Sequence, residues 1–178
     1  PPGVGKGTQS ELIAKSLNLF HFSTGEFLRK EIEGQTELGI KAKQIVEKGH
    51  LVPDEIMIEI VSKALKENLD GKSGFILDGF PRTYEQAVEL DKIFEKMGIK
   101  EVEVIYLQTT EDEIVERLLK RGRVDDTEEI IRKRLKIYSD DTSRVLDYYK
   151  NNKKILEVNG LGEIEEINRK ILKLLQNQ

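Results

Sequence analysis

The chain opens with PPGVGKGTQ, which sets glycines at positions 3, 5 and 7 around a lysine, Lys6. A helical pattern through Leu12, Ile13, Ser16 and Leu17 follows at once. A glycine-rich turn running into a helix leaves the first N–H groups of that helix without partners. The helix dipole adds partial positive charge, so the place suits a phosphate, and Lys6 contributes a mobile cation. The general phosphate-loop spacing G-x-x-x-x-G-K-[ST] is met at Gly5-Lys6. It is broken at Gly7, which stands where a hydroxyl is expected, with Thr8 one place later. The first glycine of the pattern would precede Pro1. By spacing alone, a plain glycine turn before a helix remains the alternative.

A second constellation is Asp78-Gly79-Phe80-Pro81-Arg82, where an apolar run ends and a turn begins, the position at which α/β folds hold ligands. Arginines recur beyond it. Arg117 and Arg121 are four apart and share a helix face, so they can converge on one spot. Arg134 flanks an apolar stripe beginning Ile131-Leu135, and Arg123 lies in the charged break KRGRVDD. Guanidinium groups match phosphate oxygens bidentately and stay charged. Arg132 and Lys133 read as solvated helix face. His21 and His50, the two histidines, have no carboxylate company at metal spacing.

Positioning such groups falls to an alternation of short apolar runs and longer amphipathic ones. Leu19–Phe22, Phe75–Leu77, Val102–Leu107 and Ile155–Val158 read as buried strands. Helical faces are formed by Met57, Ile60, Val61, Ala64 and Leu65, by Ala87, Leu90, Phe94 and Met97, and by Ile164, Ile167, Ile171 and Leu174. The stripe Ile131, Leu135, Tyr138, Thr142, Val145, Tyr149 predicts one long helix. Together they predict a single α/β domain over 1–178, a parallel sheet with helices on both faces. Residues 23–67 hold three helical patterns in a row, with junctions at Gly34, Gly39, Gly49 and Pro53, and form a small helical insert. Residues 120–126 form a compact loop or lid. Ser23-x-x-Glu26 and Thr83-x-x-Gln86 have the form of capping boxes. A phosphate loop normally follows a buried strand, so a first strand is expected upstream of Pro1.

Composition narrows the function. The 178 residues carry 29 basic and 33 acidic side chains, a net charge of −4, which supplies no broad positive field for nucleic acid. With no Cys there is no disulfide framework, thiolate metal site or catalytic thiol. No apolar run approaches the roughly 20 residues of a membrane span. No signal peptide is visible, and a cytoplasmic monomer is the expectation.

PPGVGKGTQ closely resembles the phosphate loop of adenylate kinases, in which Gly-Thr follows the lysine. STGEFLR (23–29), GHLVPDE (49–55), LDGFPRTYEQA (77–87), RLLKRGRVDD (117–126) and IRKRLKIY (131–138) resemble further segments of that family, in family order, over nearly the whole chain. The resemblance implies a nucleoside monophosphate kinase of the P-loop type, with 23–67 as the monophosphate-binding insert and 120–126 as a short lid. The implied reaction is phosphoryl transfer from Mg·ATP to AMP. Transfer of this kind needs alignment and charge neutralisation more than covalent chemistry.

On this resemblance ATP lies along Pro2, Gly3, Val4, Gly5, Lys6, Gly7 and Thr8, with Arg117 and Arg121. AMP is assigned to Thr24, Arg29, Val52, Gly79, Arg82, Gln86, Arg123 and Arg134. Lys6, Asp78, Arg82, Arg123 and Arg134 carry catalysis, and Asp78 stands behind Mg²⁺ through water. Asp125 and Asp126 pair with lid arginines or remain solvated loop charges. The lid lacks the cysteine cluster that holds zinc in longer lids, so none is expected. A UMP/CMP kinase is the alternative enzyme, although Thr24 and Thr83-x-x-Gln86 look like the AMP-specific members. A non-catalytic nucleotide-binding relative is the alternative outside enzymes, and it would usually have lost Lys6, Asp78 or Arg82.

Overall fold

The computed structural model describes residues 1–176. Helices and short strands alternate as α1 (Lys6–Leu17), β1 (Phe20–Ser23), α2 (Thr24–Glu33), α3 (Glu37–Glu47), α4 (Asp54–Asn68), β2 (Phe75–Asp78), α5 (Tyr84–Lys96), β3 (Glu103–Gln108), α6 (Glu111–Arg121) and α7 (Glu128–Ile137). A π-helical turn over Tyr138–Thr142 leads into α8 (Ser143–Asn152), followed by β4 (Lys154–Asn159) and α9 (Ile164–Gln176).

Strand pairing among the described residues is parallel, in register Phe20↔Phe75 through Ser23↔Asp78 and Glu103↔Lys154 through Gln108↔Asn159. Among the described residues the single sheet expected from the sequence is instead two two-stranded sheets, β1–β2 and β3–β4, with no ladder joining them. A cleft lined by Phe75–Asp78 of β2 and by residues 103–107 of β3 runs between the pairs. β1 and β2 are consequently half-buried rather than buried, in β3 only Leu107 is closed off from solvent, and β4 alone of the four buries two side chains, Leu156 and Val158.

Side chains still alternate between two faces, as a strand period of two requires. Phe20, Phe22, Phe75 and Leu77 meet Met57, Val61 and Leu65 of α4 and Leu90 and Phe94 of α5. Ile76, Ile105, Leu107 and Val158 meet Ile13 of α1 and Ile167 and Ile171 of α9. Val104 and Ile155 pack with Ala87 of α5 and with Val145 and Tyr149 of α8. Helices therefore do cover both faces. The α9 stripe is shorter than its pattern, since Ile164 and Leu174 are exposed.

Two local expectations change. The long stripe does not serve one neighbour: Ile131 and Leu135 face Ile114 and Leu118 of α6, whereas Val145 and Tyr149 face Ala87. The π turn between them adds the extra backbone that re-aims the face. Gly39 is not a junction but lies in the first turn of α3. A Cβ there would sit 2.0 Å from the Glu31 carbonyl oxygen, so glycine is what lets α3 lie against the end of α2. Gly34, by contrast, does cap α2, and Pro53 stands directly before α4. No helix among the described residues is long and apolar enough to cross a membrane.

Candidate active site

The glycine loop takes the shape its composition permits. Gly3 and Gly5 have φ of 72° and 97°, a left-handed region that disfavours side chains, and Gly5 caps α1 without a side-chain bond. A Cβ on Gly3 would lie 2.8 Å from Leu118 Cγ, so the loop rests closely on α6, anchored by buried Val4. Pro2, Gly3, Gly5, Lys6, Gly7 and Thr8 line a cleft of about 2200 Å³. The Lys6 ammonium donates to the Pro1 carbonyl oxygen at 2.6 Å. Burial pulls its pKa down to about 8; Asp78 opposes that shift, while Arg82 and Arg121 reinforce it.

Asp78, the last residue of β2, faces this loop. Its Oδ2 would stand 3.4 Å from a Cβ on Gly7 and accepts a hydrogen bond from Ser23 Oγ at 3.3 Å. A Cβ at position 7 would make only ordinary contact with that oxygen, so the break in the phosphate-loop pattern has no steric cause here. Gly79 has φ of 81°, and a Cβ on it would meet Thr24 Oγ1 at 2.7 Å and Arg82 Nη2 at 3.0 Å. Thr24 is buried and donates to the Gly79 carbonyl oxygen at 3.0 Å. Arg82 Nε donates to the same oxygen at 2.8 Å. Burial lowers the Arg82 pKa; Asp78 resists, and Arg134 and Arg29 push it further down. Arg29 folds back over its own helix, with Nη1 3.2 Å from where a Gly25 Cβ would be. Val52 is buried beside this pocket.

On the far side stands the charged loop over residues 120–126. Asp126, whose side chain is wholly buried, accepts from Arg121 Nε and Nη2 at 2.8 and 2.7 Å, from the Arg123 N–H at 3.1 Å, and from Arg134 Nη1 at 3.4 Å. Arg134 Nη2 also pairs with Asp125. Burial pushes the Asp126 carboxyl upward, but Arg121, the Arg123 N–H and Arg134 outweigh it, leaving the group below the usual range. Burial likewise lowers the Arg123 pKa, helped by neighbouring Arg121 and Arg29. Asp125 and Asp126 are therefore structural partners of the arginines rather than solvated loop charges.

Lys6, Asp78, Arg29, Arg82, Arg117, Arg121, Arg123, Arg134, Thr24, Val52, Gly79 and Gln86 all border one cleft. Arg117 and Arg121 do not converge, however. Arg117 Nε bonds Glu113 at 2.6 Å and its Nη1 bonds the Gly160 carbonyl at 3.0 Å, while Arg121 turns to Asp126. Arg132 is solvated and paired with Glu128, as expected. Lys133 is not merely surface, because its Nζ lies 2.8 Å from His50 Nε2 and links α7 to the insert.

Sequence reasoning also missed Asp54, whose carboxylate accepts from Thr83 Oγ1 at 2.8 Å and from Gln86 Nε2 at 2.7 Å. LVPDE displayed this residue, but only tertiary contact reveals its partners. Thr83 and Ser23 cap their helices, but Gln86 and Glu26 do not close the boxes. The Gln86 side-chain oxygen takes the Arg82 N–H, and Glu26 pairs with Lys30.

No group of three or more His, Asp or Glu among the described residues could hold a metal by itself. One carboxylate, Asp78, beside a phosphate cradle does suit Mg²⁺, which keeps its waters and takes phosphate oxygens for the remaining positions.

Residues 1–154 match the family model described as adenylate kinase. The chain is 47% identical to adenylate kinase 1 of a Nostoc species over 171 residues, covering 96% of this chain and 92% of that protein. It is 45% identical to the adenylate kinase of Corynebacterium glutamicum over 98% of this chain and 95% of the relative. For the adenylate kinase of Bacteroides thetaiotaomicron the figures are 46%, 93% and 89%. Glycine loop, acidic strand end and arginine-lined cleft thus occur in a chain that belongs to the adenylate kinase family.

Proposed function

We propose that this protein is an ATP:AMP phosphotransferase, moving the terminal phosphoryl group of ATP reversibly to AMP to give two ADP. The observation that carries the reading is the ring of cations, Lys6, Arg29, Arg82, Arg121, Arg123 and Arg134, around one cleft that Asp78 enters from β2. Even with Asp125 and Asp126 paired to Arg121 and Arg134 and with Asp78 beside Lys6 and Arg82, the cations outnumber the carboxylates, and that surplus suits a polyanion such as two facing phosphate chains. The relatives bear the name adenylate kinase, which disfavours the UMP/CMP alternative.

In this reading the P-loop-type turn Pro2–Thr8 and Lys6 hold the β- and γ-phosphates of ATP, with Arg117 and Arg121 on the donor side. Arg29 and Arg82 hold the AMP phosphate. An oxygen of that phosphate attacks the γ-phosphorus, the new P–O bond forms as the bond to the β-γ bridging oxygen breaks, and ADP leaves on each side. The attacking oxygen is already anionic, so no general base is required. Arg123 and Arg134 meet charge on the group in flight. Mg²⁺, bound through water beside Asp78, would neutralise charge on the ATP phosphates. The insert 23–67 and the lid 120–126 close over AMP and ATP and keep out the water that would otherwise hydrolyse ATP. The His50–Lys133 contact, the Asp54 bonds to Thr83 and Gln86, and the Asp126 cluster are among the points where these segments meet the rest of the protein.

A coupled assay of ADP formation from ATP with AMP, UMP or CMP tests this directly. Transfer to AMP far above transfer to either pyrimidine is expected. Equal or better transfer to UMP or CMP would favour the alternative enzyme, and none to any acceptor would favour a binding protein.

A further inference from the structure

Gln86 is 2% exposed, and both ends of its side-chain amide are already engaged within the protein. Its oxygen accepts from the Arg82 N–H at 2.7 Å, and its nitrogen donates to Asp54 Oδ1 at 2.7 Å. The other Asp54 oxygen accepts from the Thr83 hydroxyl at 2.8 Å, and that hydroxyl in turn accepts from the Gln86 N–H at 3.1 Å. The four bonds form a closed circuit across the start of α4 and the start of α5.

We infer that Asp54 is a positioning residue that fixes which way the Gln86 amide points, and thereby makes the site select a 6-aminopurine over a 6-oxopurine monophosphate. The inference rests on the kinase reading above. A backbone N–H can only donate and an ionised carboxylate can only accept. Reversing the amide would set its NH₂ against the Arg82 N–H and its oxygen against the Asp54 carboxylate, so one orientation alone is satisfied. Two capacities remain to the cleft that Gln86 lines: one N–H on the nitrogen and one lone pair on the oxygen. Adenine offers the complement, an acceptor at N1 beside an amino donor at C6. A 6-oxopurine carries a donor at N1 and an acceptor at C6, so in the same pose it needs the reversed amide. A site built to pair polar groups rejects a ligand that leaves them unpaired far more strongly than an apolar pocket rejects a misfit. Asp54 belongs to the insert and Gln86 to α5, so the circuit also ties base selection to the position of the insert.

The test measures steady-state kinetics of ADP formation with AMP and with inosine monophosphate for wild type, Asp54→Ala and Asp54→Asn. Asp54→Ala should raise KM for AMP about tenfold, the loss of one charge-assisted hydrogen bond in a closed site. It should narrow the preference for AMP over inosine monophosphate and leave KM for ATP within about twofold of wild type, as expected of a side chain with no donor-side contact. Asp54→Asn, which keeps an acceptor oxygen, should restore most of the preference. A folded Asp54→Ala protein with unchanged KM for AMP and unchanged preference overturns the inference; so does an equal rise in both Michaelis constants, which would mark a general structural role. Independently of any variant, the wild-type Gln86 side-chain amide protons should exchange with solvent far more slowly than those of exposed Gln44. Equal exchange rates would overturn the lock even if Asp54→Ala fails to fold. A wild-type protein that makes no ADP from AMP would instead sink the kinase reading while leaving the amide measurement standing.

Discussion

Replacing Asp126 by asparagine should loosen the loop over residues 120–126, the lid of the proposed kinase. The side chain is wholly enclosed, while its partners Arg121 and Arg134 keep 35% and 21% of their side-chain surface in contact with solvent. Asparagine leaves one carbonyl oxygen able to accept, but it turns an NH₂ toward guanidinium donors and removes the charge. A hydrogen bond to a charged group contributes about 1.5–3 kcal/mol. Water can take over part of the load at the two half-open arginines, which favours the lower half of that range. A loss of about 2 kcal/mol, roughly a 30-fold shift in the lid's opening equilibrium, is therefore expected. The Arg123 N–H, bonded at 3.1 Å to Asp126 Oδ2, is the natural reporter, and its hydrogen exchange should quicken by that factor. Turnover should fall as well, because Arg123 and Arg134 lose their common anchor. The same carboxyl sets a pH window. Its pKa is depressed in the folded lid, so its contribution is fully present above the ordinary aspartate value of 3.8 and is lost as pH falls from there through the folded value. Arg123 exchange in Asp126→Asn within about threefold of wild type, with normal turnover, would refute the reasoning.

The two sets of arginines should separate kinetically: Arg82→Ala raises KM for AMP and slows turnover, whereas Arg134→Ala falls mainly on turnover, by a factor of order 10³–10⁵. Steady-state kinetics varied in both substrates would show this, and two indistinguishable profiles would count against the division of roles. Lys6, with its pKa lowered to about 8, should be charged below that pH and neutral above it, so kcat/KM for ATP in the free enzyme should decline as pH rises past about 8. A profile flat to pH 10 would contradict the burial of the ammonium. Gly39→Ala should destabilise the insert by about 1–3 kcal/mol, since its Cβ meets the Glu31 carbonyl at 2.0 Å. Thermal melting within 1 °C of wild type would show that α2 and α3 separate at little cost.

The glycine loop, the alternation of strand and helix, and Asp78 at a strand end were legible in the chain because each rests on local rules, whereas Thr24, Arg29, Val52 and Gln86 were reached only through the family resemblance. Glycine permits left-handed backbone, apolar period reports which face is buried, and an aspartate ending a strand lies where α/β folds bind ligands. Charge type was legible too, since an arginine announces that it can meet phosphate. What a charged side chain does with that capacity was not, because partners come from distant elements. Arg117 and Arg121, one helical turn apart, part company toward Gly160 and Asp126. Asp54 meets residues 29 and 32 positions away, and Lys133 meets His50 across 83. The stripe from Ile131 to Tyr149 likewise predicted a helix without revealing that a π turn divides it between α6 and α5. Periodicity is a property of one segment, whereas the direction a face or a guanidinium finally takes is a property of what packs against it, and only the tertiary structure decides that.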